Sequence, residues 1–229
     1  MRFGIIGAMD EEVEYLQKLM TVKKTLTVSS VLFIVGKLHG KDTVLLKSGI
    51  GKVNAAMATT ILMERFQPSH VINTGSAGGF SNSMQVGDVV IGNQIVHHDV
   101  DVTAFNYEYG QVPKMPAVFK ADKRLIQKIE SILNQLTINY QIGLVATGDS
   151  FMNNPERVES VKELFPTMLA AEMEGAAIAQ VCYQYKVPFV VIRALSDIAG
   201  KESSVTFNEF LQLAAKNAAT IISEIVKDS

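Results

Sequence analysis

The chain has 229 residues, 48% of them hydrophobic and 19% charged, with 21 Lys and Arg against 23 Asp and Glu and a formal net charge of −2. So high an apolar content with so small a net charge excludes chain-wide disorder. The missing basic excess gives no support for duplex nucleic-acid binding, whose footprint is a basic stripe.

From the amino terminus, Arg2 to Ala8 is a short β-branched run, expected as a buried strand. Asp10 is placed to cap a following helix with Val13, Leu16 and Leu19-Met20 inward. Glu11 and Glu12 fall in its first turn, where the helix dipole favours anions. The early acids do not fit a signal peptide, which needs a longer apolar run and a small-residue cleavage site. Val31 to Leu38 and Thr43 to Leu46 read as two strands joined through His39-Gly40. Ser48-Gly49-Ile50-Gly51-Lys52 is a glycine turn leading into a helix with Ala55, Ala58, Ile61 and Leu62.

His70 to Thr74 is a further buried strand, and Gly75-Ser76-Ala77-Gly78-Gly79 at its end lets backbone approach a ligand closely. Val86 to Ile91 and Ile95-Val96 continue the β pattern. Residues 99 to 117 are the least periodic stretch, and their aromatic and proline content suggests a surface covered by something else. Asp122 opens a helix to about Leu136, and Ile142 to Thr147 is a strand ending in Gly148-Asp149-Ser150-Phe151. Asn154-Pro155-Glu156 is a cap, then proline, then acid, a strong helix start. Ala170 to Tyr185 reads as one helical run. Pro188 to Leu195 is an apolar strand apart from Arg193, ending in Ser196-Asp197. Thr206 and Glu209 have capping-box spacing before a last helix that reaches about Val226.

No repeat, linker or clean boundary interrupts this order. The expectation is one α/β domain over residues 1–229, a central mixed sheet flanked by helices. The single cysteine, Cys182, permits no disulfide and points to a cytoplasmic setting. No stretch reaches the ~18 apolar residues of a membrane span. With four histidines and no HExxH or CxxC, no metal site is expected at His97-His98-Asp99, and the glycine turns match neither the dinucleotide nor the Walker pattern. No cofactor is expected.

Among the acids, Glu12 sits near a strand end and a helix start. It is either a capping acid or a base whose dipole-lowered pKa needs burial to recover. Glu172 and Glu174 interrupt a small-residue segment, and on a helix an i,i+2 pair diverges. One would then face a site while the other braces or meets solvent. Asp197 closes an apolar strand as a turn acid or an acting one. Arg193 is costly to bury without a carboxylate partner, which the sequence does not name. Phe151, Met173 and Met9 are core residues or ligand contacts, and Ser76 a loop cap or a hydroxyl contact.

The ordered segments GIIGAMDEEV (4–13), SGIGKVNAA (48–56), NTGSAGG (73–79), VGDVVI (86–91), ATGDSF (146–151), AAEMEGAAIAQVC (170–182) and RALSDIAG (193–200) resemble the nucleoside phosphorylase and nucleosidase superfamily. Within it they are most similar to the bacterial 5'-methylthioadenosine/S-adenosylhomocysteine nucleosidases. The resemblance spans essentially the whole chain, and it is the ordered set that is specific.

The resemblance implies a nucleoside phosphorylase-like fold and hydrolysis of the N-glycosidic bond of adenine thionucleosides, with 5'-deoxyadenosine a further substrate. By it, Glu12 activates water, Asp197 protonates N7 of adenine, and Glu174 holds the ribose hydroxyls. Phe151 stacks on the base, which the backbone of Met152 also contacts. Met173, Met9 and Ser76 line the sugar, Ser196 supports Asp197, and Phe207 covers the base and 5' pocket. Val102, Phe105 and Pro113 would close the 5' pocket of the neighbouring subunit in a homodimer. Two alternatives stand beside it. One is phosphorolysis, disfavoured because the first loop carries Met-Asp-Glu-Glu where the phosphorylases place an arginine. The other is an adenine-nucleoside sensor without turnover.

Overall fold

Ten strands and six α-helices are found among the described residues, which in this computed structural model are 1–199 and 203–228, without the side chains of 203–206 and 208. Strands β1 (Arg2–Gly7), β4 (Lys41–Lys47), β5 (His70–Gly79) and β10 (Phe189–Ile198) run parallel in the order β4-β1-β5-β10. β4 and β10 carry unbroken buried apolar runs, Val44-Leu45-Leu46 and Val190-Val191-Ile192, and β5 opens with buried Val71-Ile72. Strands covered on both faces need that composition.

β6 (Val89–His97) pairs antiparallel with β10, and β8 (Tyr140–Thr147) and β9 (Met168–Glu172) follow in parallel. β9 then pairs antiparallel with Gly78 and Gly79 of β5. Strands β5, β10, β6, β8 and β9 therefore close into a ring. β1, β4, β3 (Val31–Leu38) and β2 (Thr21–Val28) extend the sheet outward from β5, and β7 (Phe119–Lys120) adds to β6. The mixed α/β sheet is the expected one.

Helix α6 (Ser203–Lys227) packs on β5 and β10 and against α1 (Asp10–Leu19) and α3 (Lys123–Leu136). α2 (Lys52–Phe66) packs against α5 (Gly175–Tyr185). α4 (Pro155–Leu164) covers a smaller core, where Val158 and Val161 meet Val96, Ala146 and Met168. The predicted caps of two helices form. Asp122 accepts from Leu125 N at 2.9 Å and Asn154 from Arg157 N at 3.0 Å.

Several local expectations are corrected. Asp10 does not cap α1. It is the first helical residue after an extended Met9, and its carboxylate pairs instead with Lys47 Nζ at 2.7 Å. The glycine run 75–79 stays in β5, because its backbone pairs with β10 on one side and β9 on the other. The two expected runs, Val86 to Ile91 and Ile95-Val96, are parts of one strand that begins only at Val89 and ends at His97. Ala170 to Tyr185 is not one helix. Met168–Glu172 is strand, and α5 starts only at Gly175. β2, for which the sequence offers no signal, forms the outer edge of the sheet. It is exposed along nearly its whole length, so no buried face leaves an alternating pattern. α6 starts at Ser203, which puts Thr206 inside the helix, and the capping-box contact expected of its side chain lies outside the described residues.

Candidate active site

Where β1, β4, β8 and β9 end, their following segments meet the last residues of β5 and β10 around a cavity of about 400 Å³. Met9, Glu12, Ser76, Phe151, Met152, Met173, Glu174, Ser196, Asp197 and Phe207 all line it. They come from six separate parts of the chain.

Glu12 is the third residue of α1, and its carboxylate bends back over the helix start. Oε2 accepts from Ala8 N at 2.7 Å and Met9 N at 3.3 Å, and Oε1 accepts from Ser76 N at 3.0 Å and Ser76 Oγ at 3.3 Å. Gly75 makes room for it, since a Cβ there would stand 2.7 Å from Oε1. Burial raises the Glu12 pKa above the ordinary carboxylate value. The opposing pull of Arg193 and of the three backbone N–H groups does not cancel it. The burial that a base at this helix start needs is thus present.

Asp197 lies on β10 just past a bulge, between Leu195 and Asp197, in its pairing with β5. A bulge re-aims the side chains that follow it. Ser196 Oγ donates to Asp197 Oδ1 at 2.9 Å. The other oxygen, Oδ2, stands over Gly78, where a Cβ would approach it to 3.2 Å. Burial raises this pKa too, against the pull of the Ser196 hydroxyl. Glu12 and Asp197 therefore rest on the same strand three residues apart, at Gly75 and Gly78. That is about 10 Å along an extended backbone.

Glu174 precedes α5 and accepts from Gly51 N at 2.9 Å. Burial, followed by the negative charge of Glu172, pushes its carboxyl up to about 8. Glu172 ends β9 and is buried as well. It binds the Arg193 guanidinium and the Thr147 hydroxyl, and accepts from Glu174 N at 3.1 Å and Gly175 N at 2.7 Å. Burial alone would raise Glu172, but Arg193 and these donors hold it below the usual range. Arg193 also donates to Asn73 Oδ1 at 2.6 Å, and it stands 3.9 Å from Glu174.

The partner that the sequence left unnamed for Arg193 is therefore Glu172. The expected divergence of Glu172 and Glu174 assumed a helix. In the strand-to-helix turn both side chains are buried, Glu172 as the brace and Glu174 facing the cavity. The sequence reading missed Asn73 and Thr147 altogether. Only the isolated Arg193 in an apolar run signalled that a polar cluster lay below.

Phe151 is partly exposed at one wall and meets the Phe207 ring edge-on, with centroids 5.8 Å apart. Val102, Phe105 and Pro113 lie away from this cavity, and Phe105 is 75% exposed. His97 bonds through Nε2 to Gln180 at 3.1 Å, and burial lowers the pKa of both His97 and His98. Among the described residues no three His, Cys, Asp or Glu side chains gather as a metal site.

Residues 2–227 match the model of the Phosphorylase superfamily. The 5'-methylthioadenosine/S-adenosylhomocysteine nucleosidase of Oceanobacillus iheyensis is 60% identical over 227 residues, covering 99% of each chain. This chain belongs to the phosphorylase superfamily, among its 5'-methylthioadenosine/S-adenosylhomocysteine nucleosidases. Solved nucleosidases superimpose along the whole chain. That of Neisseria meningitidis, in complex with methylthio-immucillin-A, is 45% identical with a TM-score of 0.97, covering 100% of this chain and 99% of its own. That of Colwellia psychrerythraea 34H, in complex with adenine, is 50% identical with a TM-score of 0.95, covering 99% and 94%.

Proposed function

We propose that the chain hydrolyses the N-glycosidic bond of 5'-methylthioadenosine and S-adenosylhomocysteine, releasing adenine and the 5-substituted ribose, with 5'-deoxyadenosine as a further substrate. The observation that carries the mechanism is the pair of buried carboxylates, Glu12 and Asp197, set at Gly75 and Gly78 of one strand and facing one cavity. The relatives named for these substrates, and the relatives solved with methylthio-immucillin-A and with adenine, support the substrate class.

In this reading Asp197 starts protonated, as its raised pKa favours, and gives its proton to N7 of adenine. The C1'–N9 bond breaks with its electron pair going to the base, which leaves neutral. A water attacks C1' from the opposite face as Glu12 accepts its proton. Inverting sugar hydrolases divide the work in the same way. Glu174 binds the ribose hydroxyls and adds negative potential beside the developing oxocarbenium charge. Phe151 stacks on adenine, with the Met152 backbone at its edge and Phe207 above. Met9, Ser76 and Met173 bound the sugar, and Ser196 orients Asp197.

Water rather than phosphate is the nucleophile in this account. Arg193, which comes within 3.9 Å of the cavity residue Glu174, is already bound to Glu172. Lys47 and Lys52 are paired with Asp10 and Asp99. An entering phosphate would meet Glu12 and Glu174 instead. The deciding assay is methylthioadenosine with the purified protein, with and without phosphate. Equal adenine release in both supports hydrolysis, whereas release that needs phosphate overturns it.

The chain is also read here as a homodimer in which Val102, Phe105 and Pro113 close the 5' side of the partner's cavity. Its lone, buried thiol, Cys182, supports a cytoplasmic setting. Among the described residues no helix is long and apolar enough to cross a membrane.

A further inference from the structure

The proposed chemistry leaves one polar cluster unused, at the stem of the 99–117 segment. Asp99 follows β6 and splits its carboxylate between two loops. Oδ1 accepts from Lys52 Nζ at 2.6 Å, and Oδ2 accepts from Asp149 N at 2.9 Å. Asp149 in turn accepts from Lys52 N through Oδ1 at 2.8 Å. The three residues thus form a closed ring of charge-assisted contacts joining three loops. Lys52 Nζ and Asp99 are mostly shielded from solvent, with side chains 20% and 28% exposed. Half-burial would raise the Asp99 pKa, but Lys52 and the Asp149 N–H hold it below its ordinary value.

Two of the three loops so joined carry cavity residues close to the ring. Gly51, next to Lys52, gives its N–H to Glu174. Its φ of 95° sets that N–H, and a Cβ on it would stand 3.1 Å from Asp149 Oδ1. Ile50, the residue before it, lines the cavity. Phe151 lies two residues beyond Asp149 on the second loop. The third loop leads from Asp99 into the segment of Val102, Phe105 and Pro113. A side chain that fixes the spacing of the first two loops fixes the distance between the base wall at Phe151 and the Gly51 donor that orients Glu174.

We infer that Asp99 is a positioning residue for the nucleoside site: through Lys52 and Asp149 it holds the Phe151 loop and the Gly51 loop in register. The inference rests on the nucleosidase reading only for its kinetic consequence. The geometric part concerns the loops alone. Charge-assisted contacts of this kind are about twice as strong as neutral ones. Removing the shared acceptor frees both Lys52 Nζ and Asp149 N and leaves the two loops tied only by the Lys52 N to Asp149 Oδ1 bond.

The test has two arms. In the first, hydrogen exchange is followed by mass spectrometry on ligand-free wild type and Asp99→Ala. Faster exchange in peptides covering both 49–52 and 149–152 is expected. A change confined to residues around 99 overturns the inference. This arm needs no activity, so it stands even if methylthioadenosine proves not to be the substrate, a failure that wild type alone would show. In the second, KM and kcat for methylthioadenosine are measured for Asp99→Ala, Asp99→Asn, Lys52→Met and the Asp99→Asn/Lys52→Met pair. Lost binding geometry predicts KM raised about tenfold with kcat altered less than about threefold. Asp99→Asn keeps an acceptor for Asp149 N and should fall between wild type and Asp99→Ala. The double variant should be no worse than the worse single one, because residues acting through one contact are not additive. Independent, multiplying losses, or an unchanged KM in both single variants, overturn the inference. Lys52→Met, at a partly exposed site, keeps the test open should Asp99→Ala fail to fold.

Discussion

In the proposed mechanism Asp197 is the proton donor; burial raises its pKa, one of its oxygens is taken by Ser196 and the other stands over Gly78. Asp197→Asn keeps the shape and the Ser196 contact but cannot donate the proton. Positioned acids contribute about 10²- to 10⁴-fold in rate, so kcat should fall by that order while the thermal midpoint moves little. An unchanged turnover number would remove Asp197 from the acid's role. Glu174 makes a separate, pH-dependent prediction. Its folded pKa of about 8 lies above the ordinary value of 4.5, so the folded chain holds this proton more tightly than the unfolded one. The resulting contribution is complete below about pH 4.5 and fades as pH rises through about 8. Glu12 and Asp197, also raised, act in the same direction, whereas lowered Glu172 contributes stability above its unfolded pKa and loses it in acid. The ligand-free protein should therefore melt lower at pH 8 than at pH 5.5. Glu174→Gln should flatten that decline, and melting curves of both proteins across this range check it.

At the scale of elements, β5 is the strand on which the site depends, and it does so by lacking side chains. Gly75 and Gly78 leave the volumes that Glu12 and Asp197 occupy. Gly75→Ala would bring a methyl to 2.7 Å from Glu12 Oε1, closer than the pair can tolerate, so the carboxylate must move. The expected result is a loss of kcat far larger than the loss of stability, read by kinetics alongside a melting curve. Below it, Arg193, Glu172, Asn73 and Thr147 join β10, β9, β5 and β8. Removing one partner of a buried ion pair typically costs about 3–5 kcal/mol, so Arg193→Met should destabilise the chain by that order in denaturant unfolding. Much of this was legible beforehand. Apolar runs marked the buried strands, and Asp122 and Asn154-Pro155 marked two helix starts, because caps and hydrophobic periods are local signals. The glycine run of β5 read as a loop because its pairing partners, β9 and β10, are distant in sequence. Ala170–Glu172 read as helix because small residues suit either state and only pairing with β5 and β8 decides between them. Arg193 announced a partner without naming it, since the contact with Glu172 joins two strands that meet only in the closed ring.

At the scale of the whole molecule, the 99–117 segment does not enter its own chain's cavity. It leaves Phe105 75% exposed and Val53, at the start of α2, 79% exposed. The Lys52–Asp99 pair brings the start of α2 beside the stem of that segment. Large apolar side chains presented this way suit an interface better than a solvated loop. If Phe105 closes the 5' pocket of a second copy, its removal has a substrate-selective signature. Burying a phenylalanine side chain is worth roughly 1.5–3 kcal/mol, and only a substrate with an apolar 5' group draws on that contact. Phe105→Ala should therefore raise KM for methylthioadenosine by about tenfold or more and KM for adenosine much less, with the melting temperature of the folded chain little changed. In wild type the same arrangement predicts that specific activity on methylthioadenosine falls on dilution as the sedimenting species changes from dimer to monomer. Equal losses on both substrates would place Phe105 outside the pocket, and a concentration-independent activity from a sedimenting monomer would show that each chain completes its own site.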